Sequence, residues 1–79
     1  MNGESLNEKL IQAHQENNLT DLVNLYTRAA DASEQAGDID AACFYWTHAY
    51  VFALDVGSEQ ATDLHRRLLQ YGRVEDQNN

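Results

Sequence analysis

The chain has no proline, one cysteine, four glycines and five lysine or arginine residues in a length of 79. Each shortage excludes something. Without proline there is no rigid turn, no polyproline linker and no helix breaker, so the aliphatic, alanine and glutamine segments read as helix throughout. A lone cysteine, Cys43, has no internal bridging partner, and the stretch MNGESLNEKL lacks the basic start and apolar run of a secretory leader. The expectation is a reducing, cytoplasmic setting. No apolar run approaches the roughly 20 residues that cross a bilayer; the richest one is interrupted by Asp38, Asp40, His48 and Asp55. A membrane is therefore not an expected partner.

The scarcity of bases is local as well as global. Between Glu16 and Asp63 nine acids (Glu16, Asp21, Asp31, Glu34, Asp38, Asp40, Asp55, Glu59 and Asp63) face one base, Arg28, while the two ends balance, giving a net charge of −8. Such a field repels nucleic-acid phosphates and anionic lipid, and it suits a solvated surface or a cationic partner. Nucleic acid is not expected as a ligand.

The most telling segment that is present is GDIDAACFYWTHAYVFALDV, residues 37–56. It opens on a helix cap and then runs apolar around its whole circumference, so it needs cover on more than one side. Ser5 and Glu8 have capping-box spacing ahead of Leu6, Leu10, Ile11 and Ala13. Asn18 or Thr20 caps a second helix that presents Leu22, Leu25, Tyr26, Ala29, Ala30, Ser33 and Ala36 at three- and four-residue steps. Gly37 and Asp38 end this helix and start the third, where Ala42, Trp46, Ala49 and Ala53 form one stripe, flanked by Cys43, Tyr50 and Leu54. Gly57 and Ser58 repeat the device before Ala61, Leu64, His65, Leu68 and Tyr71. The pattern predicts an all-α chain of four antiparallel helices in consecutive αα-hairpins, at about 6–17, 19–36, 38–56 and 58–71. They form one domain over 1–72, followed by a flexible polar tail over 73–79. At this size a single core only just offsets chain entropy.

Tyr26, Ala29, Ala30, the Gly37-Asp38 turn, Ala42, Trp46 and Ala49 resemble one tetratricopeptide repeat spanning about Val23 to Val56. Ser33 stands where that motif usually has tyrosine, and Leu54 where it usually has proline. The resemblance implies repeat-like packing, with the flanking helices as degenerate neighbours; a generic up-down four-helix bundle is the alternative. It also implies a binding scaffold with a groove lined by the first helix of the repeat, here Asn24, Thr27, Asp31, Glu34 and Gln35, joined by Arg28. Acid and amide groups at those positions suit a basic or neutral segment of a protein partner. They do not suit the terminal carboxylate that one subgroup of the family grips with lysine and arginine.

A second candidate surface is aromatic. Phe44, Tyr45, Trp46, Tyr50 and Phe52 fall within nine residues. Trp46 and Tyr50 are assigned to the core, and Phe44, Tyr45 and Phe52 are the candidates for a partner or homodimer contact. Chemistry is poorly represented. Cys43, His14, His48 and His65 lack metal-ligand spacing, there is no phosphate loop or nucleophile elbow, and the His65-Arg66-Arg67 cluster with Arg73 suits a helix C-terminus. No cofactor, metal or catalytic role is expected. Two functions remain: a small protein-protein interaction module, or an acidic regulatory protein that imitates a polyanion and blocks a basic site on its target.

Overall fold

The computed structural model describes residues 5–73. Four helices follow one another: α1 (Leu6–Gln15), α2 (Leu19–Gln35), α3 (Ile39–Val56) and α4 (Gln60–Gln70), with no strand among the described residues. Most of the tail assigned to 73–79, like the first four residues of the domain, lies outside the described residues.

Local chemistry sets the helix boundaries. The Ser5 hydroxyl accepts from the Glu8 amide while the Glu8 carboxylate accepts from the Ser5 amide, closing the expected capping box. Asn18 and Asp38 cap α2 and α3 by accepting from the amides of Asp21 and Ala41. Every helix ends in the same way: a left-handed residue (Asn17, Gly37, Gly57 or Gly72) turns the chain, and the next amide bonds a carbonyl five residues back. Three of these positions are glycine. Asn17 has a side chain at φ 55°, where an L-residue meets its own carbonyl. Asn17→Gly is expected to raise unfolding stability by about 0.5–1 kcal/mol, read as a higher urea midpoint at unchanged slope.

The fourth helix begins later than its sequence suggests. Ser58 does not cap it; the hydroxyl accepts from the Gln60 amide two residues on, and Glu59 occupies the cap position with no side-chain bond. Asn18 and Asp38 make the same amide bond to the preceding helix and still cap the next one. Ser58 differs in that its hydroxyl takes the amide two residues on, not three, so the chain makes one further turn residue before α4.

Packing follows the chain order. Each helix lies antiparallel against the next, α2 and α3 most intimately, and among the described residues α1 does not reach α4. An up-down bundle closed into a ring would join them, so the chain is an open series of hairpins instead. Alternate helices run parallel. Gln60, Arg67 and Tyr71 of α4 bond Asn24, Asp31 and Glu34 of α2, at separations of 36, 36 and 37 residues. A constant separation is the mark of parallel register.

Trp46, Ala42, Ala49 and Ala53 of α3 are fully buried with Val23 and Ala30 of α2 and Leu64 and Leu68 of α4. Leu22, Leu25 and Ala13 form a second cluster under α1. α3 is thus covered on two sides, as its apolar circumference requires. Val23 is buried although the α2 stripe predicted from spacing omits it, because α2 meets α1 and α3 on adjacent faces and buries a wider arc than a two-helix contact would. Three expected inner residues lie outside. Ile11 is 49% and Leu54 56% exposed, and Ala36 sits at the exposed end of α2. Ile11 of α1 and Leu54 of α3 lie on sides of their helices that the other described helices leave open.

Candidate protein-interaction face

The α2 positions predicted to line a groove face α4 in part. Asp31 Oδ1 is 3.0 Å from Arg67 Nη1, and Glu34 accepts the Tyr71 hydroxyl at 2.6 Å. Asn24 accepts from the Gln60 amide group at 3.2 Å. Thr27 donates its hydroxyl to the Val23 carbonyl. Gln35 is exposed near the C-terminus of α2. Arg28 is exposed on the opposite flank, where it shares a cleft of about 340 Å³ with Lys9, Glu16 and Asp21 between α1 and α2. Arg67, from α4, is the cation that Asp31 meets. It also pairs with Asp63 and lies over the Trp46 ring at 5.6 Å from its centre.

The aromatic candidates come together around a residue of another helix. Tyr26 of α2 stacks on His48 at 5.1 Å and on Phe52 at 6.0 Å, and it lies 6.1 Å from Tyr45. His14 of α1 meets both Tyr26 and Phe52 edge-on, its Nε2 being 2.9 Å from the Tyr26 hydroxyl. Phe44 packs on His48 at 4.5 Å and on Tyr45 at 5.5 Å. Six rings from three helices thus form one continuous sheet. Tyr45 and Phe52 are half-buried in it, whereas Phe44 is 58% exposed.

His48 is held in one orientation. Its Nδ1 donates to the Phe44 carbonyl at 2.9 Å, because a carbonyl oxygen can only accept. In the neutral ring Nε2 is then an acceptor. Thr47, His48, Val51 and Phe52 line a shallow, largely apolar hollow of about 290 Å³ on the outside of α3, and Val51 is 50% exposed. Phe44, His48 and Val51 follow the i, i+4, i+7 spacing of one helical face. Sequence reasoning named Phe44 and missed the other two. The spacing was there to be read, but on a helix apolar all round it does not say which face is left open.

Burial and neighbouring charge shape the titrating groups. Burial pushes the Cys43 thiol up, with Asp40 and Glu34 adding to that and Arg73 opposing it. That is the reverse of what a nucleophilic thiolate needs. Burial, and secondarily Tyr45, raises Tyr26, while the bond to Glu34 is the main reason Tyr71 is raised. Among the described residues no three histidine, cysteine or acidic side chains are placed to hold a metal ion. No helix among them is long and apolar enough to cross a membrane.

Comparison of the chain with protein-family models, curated proteins and solved structures finds no match.

Proposed function

We propose that the chain is a small protein-interaction module that binds a partner protein through the outer face of α3. The observation that carries this reading is the exposure of Phe44 and Val51 beside a preformed apolar hollow. Large apolar groups are costly to leave in water, and aromatic anchors on a rigid support lose little entropy when they are covered. The ring sheet around Tyr26 supplies that support. The 36- to 37-residue register between α2 and α4 is of the order of a helical-repeat period, which favours the tetratricopeptide-like reading of the scaffold.

The polyanion reading has less support. Asp31, Glu34, Asp40 and Asp63 are engaged with Arg67, Tyr71, Arg73 and Arg66, and Asp21 and Asp38 are engaged at helix N-termini. Carboxylates held by internal partners make a poor array for a basic target.

Affinity capture with the wild-type chain and with Phe44→Glu tests the proposal. The substitution is expected to weaken binding by at least 100-fold while leaving the helical circular dichroism spectrum unchanged, because residue 44 is solvent-facing. Binding by wild type should persist at about 1 M salt, where the Debye length is about 3 Å. A partner retained equally by Phe44→Glu, or lost by wild type at that salt, would discard this face.

A further inference from the structure

We propose that the outer face of α3 receives a single α-helix of the partner, an amphipathic one with lysine or arginine beside its apolar stripe. This rests on the reading of α3 as the binding face and names what that face holds. From Asp40 to Leu54 the exposed residues of α3 are Asp40, Phe44, Thr47, Val51 and Leu54. They are separated by alternating steps of four and three. Phe44, Val51 and Leu54 are 58%, 50% and 56% exposed.

Alternating steps of three and four are those along which one helix meets another over its length, side chain into gap. A solvated helix face has the same steps but fills them with polar residues. Here most are large and apolar. The seam from Asp40 to Leu54 covers about 21 Å of helix, room for an occupant of about four turns crossing α3 at about 20°. An extended segment fits it poorly. The backbone groups of α3 bond within their own helix, so there is no edge to pair with, and a strand laid on Phe44 and Val51 would set its amides and carbonyls against apolar groups. A helix satisfies its own backbone and brings only side chains to the contact.

The polar groups along the seam are acceptors, and this fixes the charge of the occupant. Thr47 uses its hydroxyl proton on the Cys43 carbonyl at 2.8 Å. His48, beside the seam, uses its Nδ1 proton on the Phe44 carbonyl, so Nε2 of the neutral ring accepts. Asp55, next to Leu54, is exposed, and no cation pairs with it among the described residues. α3 has no lysine or arginine of its own. The complement is a set of positively charged donors whose aliphatic stems also cover apolar surface, which lysine and arginine supply.

A second copy of α3 meets these demands badly. Laid antiparallel, it sets each Asp55 at the Asp40–Arg73 pair of the other copy, leaving two carboxylates to one guanidinium at both ends of the seam. Laid parallel, it sets Asp55 against Asp55. Each copy also carries −8, so the remainder of the two molecules repels.

A displayed library of random peptides of about 18 residues, long enough for about five helical turns, is the probe. It is selected on the full chain, and each enriched peptide is then measured against wild type and variants that keep the wild-type circular dichroism. The expected peptides carry apolar residues in alternating three- and four-residue steps with lysine or arginine beside them. They bind wild type with a dissociation constant on the order of 10 µM and become helical on binding. Leu54→Glu should weaken them by roughly tenfold or more. Asp55→Lys should weaken them by about three- to tenfold at about 0.05 M NaCl and by less at about 0.5 M, because it reverses an exposed charge and leaves the apolar contacts in place. Peptides that need Phe44 but are acidic, extended or indifferent to Asp55→Lys would overturn the basic helix and leave the face standing, as would a selection that enriches nothing. Peptides held equally by wild type and Phe44→Glu would discard the face as well. A wild-type dimer in sedimentation equilibrium that Phe44→Glu dissociates would put a second copy on the seam and overturn the assignment to a partner helix.

Discussion

Trp46→Ala is expected to lower unfolding stability by about 3–5 kcal/mol, a large share of the roughly 5–10 kcal/mol usual for a small domain. Trp46 has no exposed surface and is the largest fully buried side chain. It sits at the junction of the α2, α3 and α4 contacts, with Tyr71 stacked 5.9 Å away and the Arg67 guanidinium over its ring. Removing the indole opens a cavity that three helices cannot close together, because each is tied to the others by short turns. The indole nitrogen complicates the comparison in a useful way. Trp46 Nε1 is buried and has no acceptor, and an unsatisfied buried donor costs about 1–3 kcal/mol. Trp46→Phe removes that donor along with part of the ring. Its net cost is therefore expected to be only about 1–2 kcal/mol, well below the alanine variant. Urea unfolding followed by circular dichroism gives both values. In the wild type, the single tryptophan should report the same transition through a red shift on unfolding. Equal losses for alanine and phenylalanine would mean that the nitrogen is satisfied and the burial less complete than described.

The helices were legible in the sequence because their signals are local. Ser5 with Glu8, Asn18, Asp38 and the glycines at 37, 57 and 72 each fix a boundary through bonds to residues within five positions. The inner stripe of α3 was legible for a related reason: alanine, tryptophan and alanine at helical spacing leave few places where a neighbouring backbone could approach. What the sequence did not disclose depends on partners distant in the chain. Asp31 and Glu34 look like solvated groove positions until Arg67 and Tyr71 arrive from 36 and 37 residues away. Leu54 and Ile11 were assigned inward because periodicity marks an apolar residue for burial without saying whether any element exists to bury it. The aromatic face was half legible for the same reason. Five rings in nine residues announce more apolar surface than one hairpin can cover, yet only the placement of Tyr26 and His14 determines that Phe44 stays out while Tyr45 and Phe52 are partly taken in.

Ala30→Leu tests the other principle on which the fold stands, the close approach of α2 and α3. Ala30 has no exposed surface and belongs to the cluster that holds Ala42, Ala49 and Ala53 of α3. Small side chains from both helices meet there, so the separation of the two backbones is set by methyl groups. A leucine would need room for three more carbons at a contact between two helices already joined by a tight turn at Gly37. The helix would have to shift outward or the side chain leave its preferred rotamer, at a cost of about 3 kcal/mol or more. An outward shift would also disturb the seam that Asp31 and Glu34, on the following turn of α2, make with Arg67 and Tyr71. Ala30→Gly separates packing from propensity. It creates almost no cavity and is expected to cost about 1–1.5 kcal/mol, mostly through lost helix propensity and one methyl group. Overpacking should therefore hurt more than truncation here, whereas at Trp46, where the wild-type side chain is already large, the deeper truncation costs the most. If Ala30→Leu unfolds within about 0.5 kcal/mol of wild type, α2 and α3 are not in contact at this level and the alanine seam does not set their spacing.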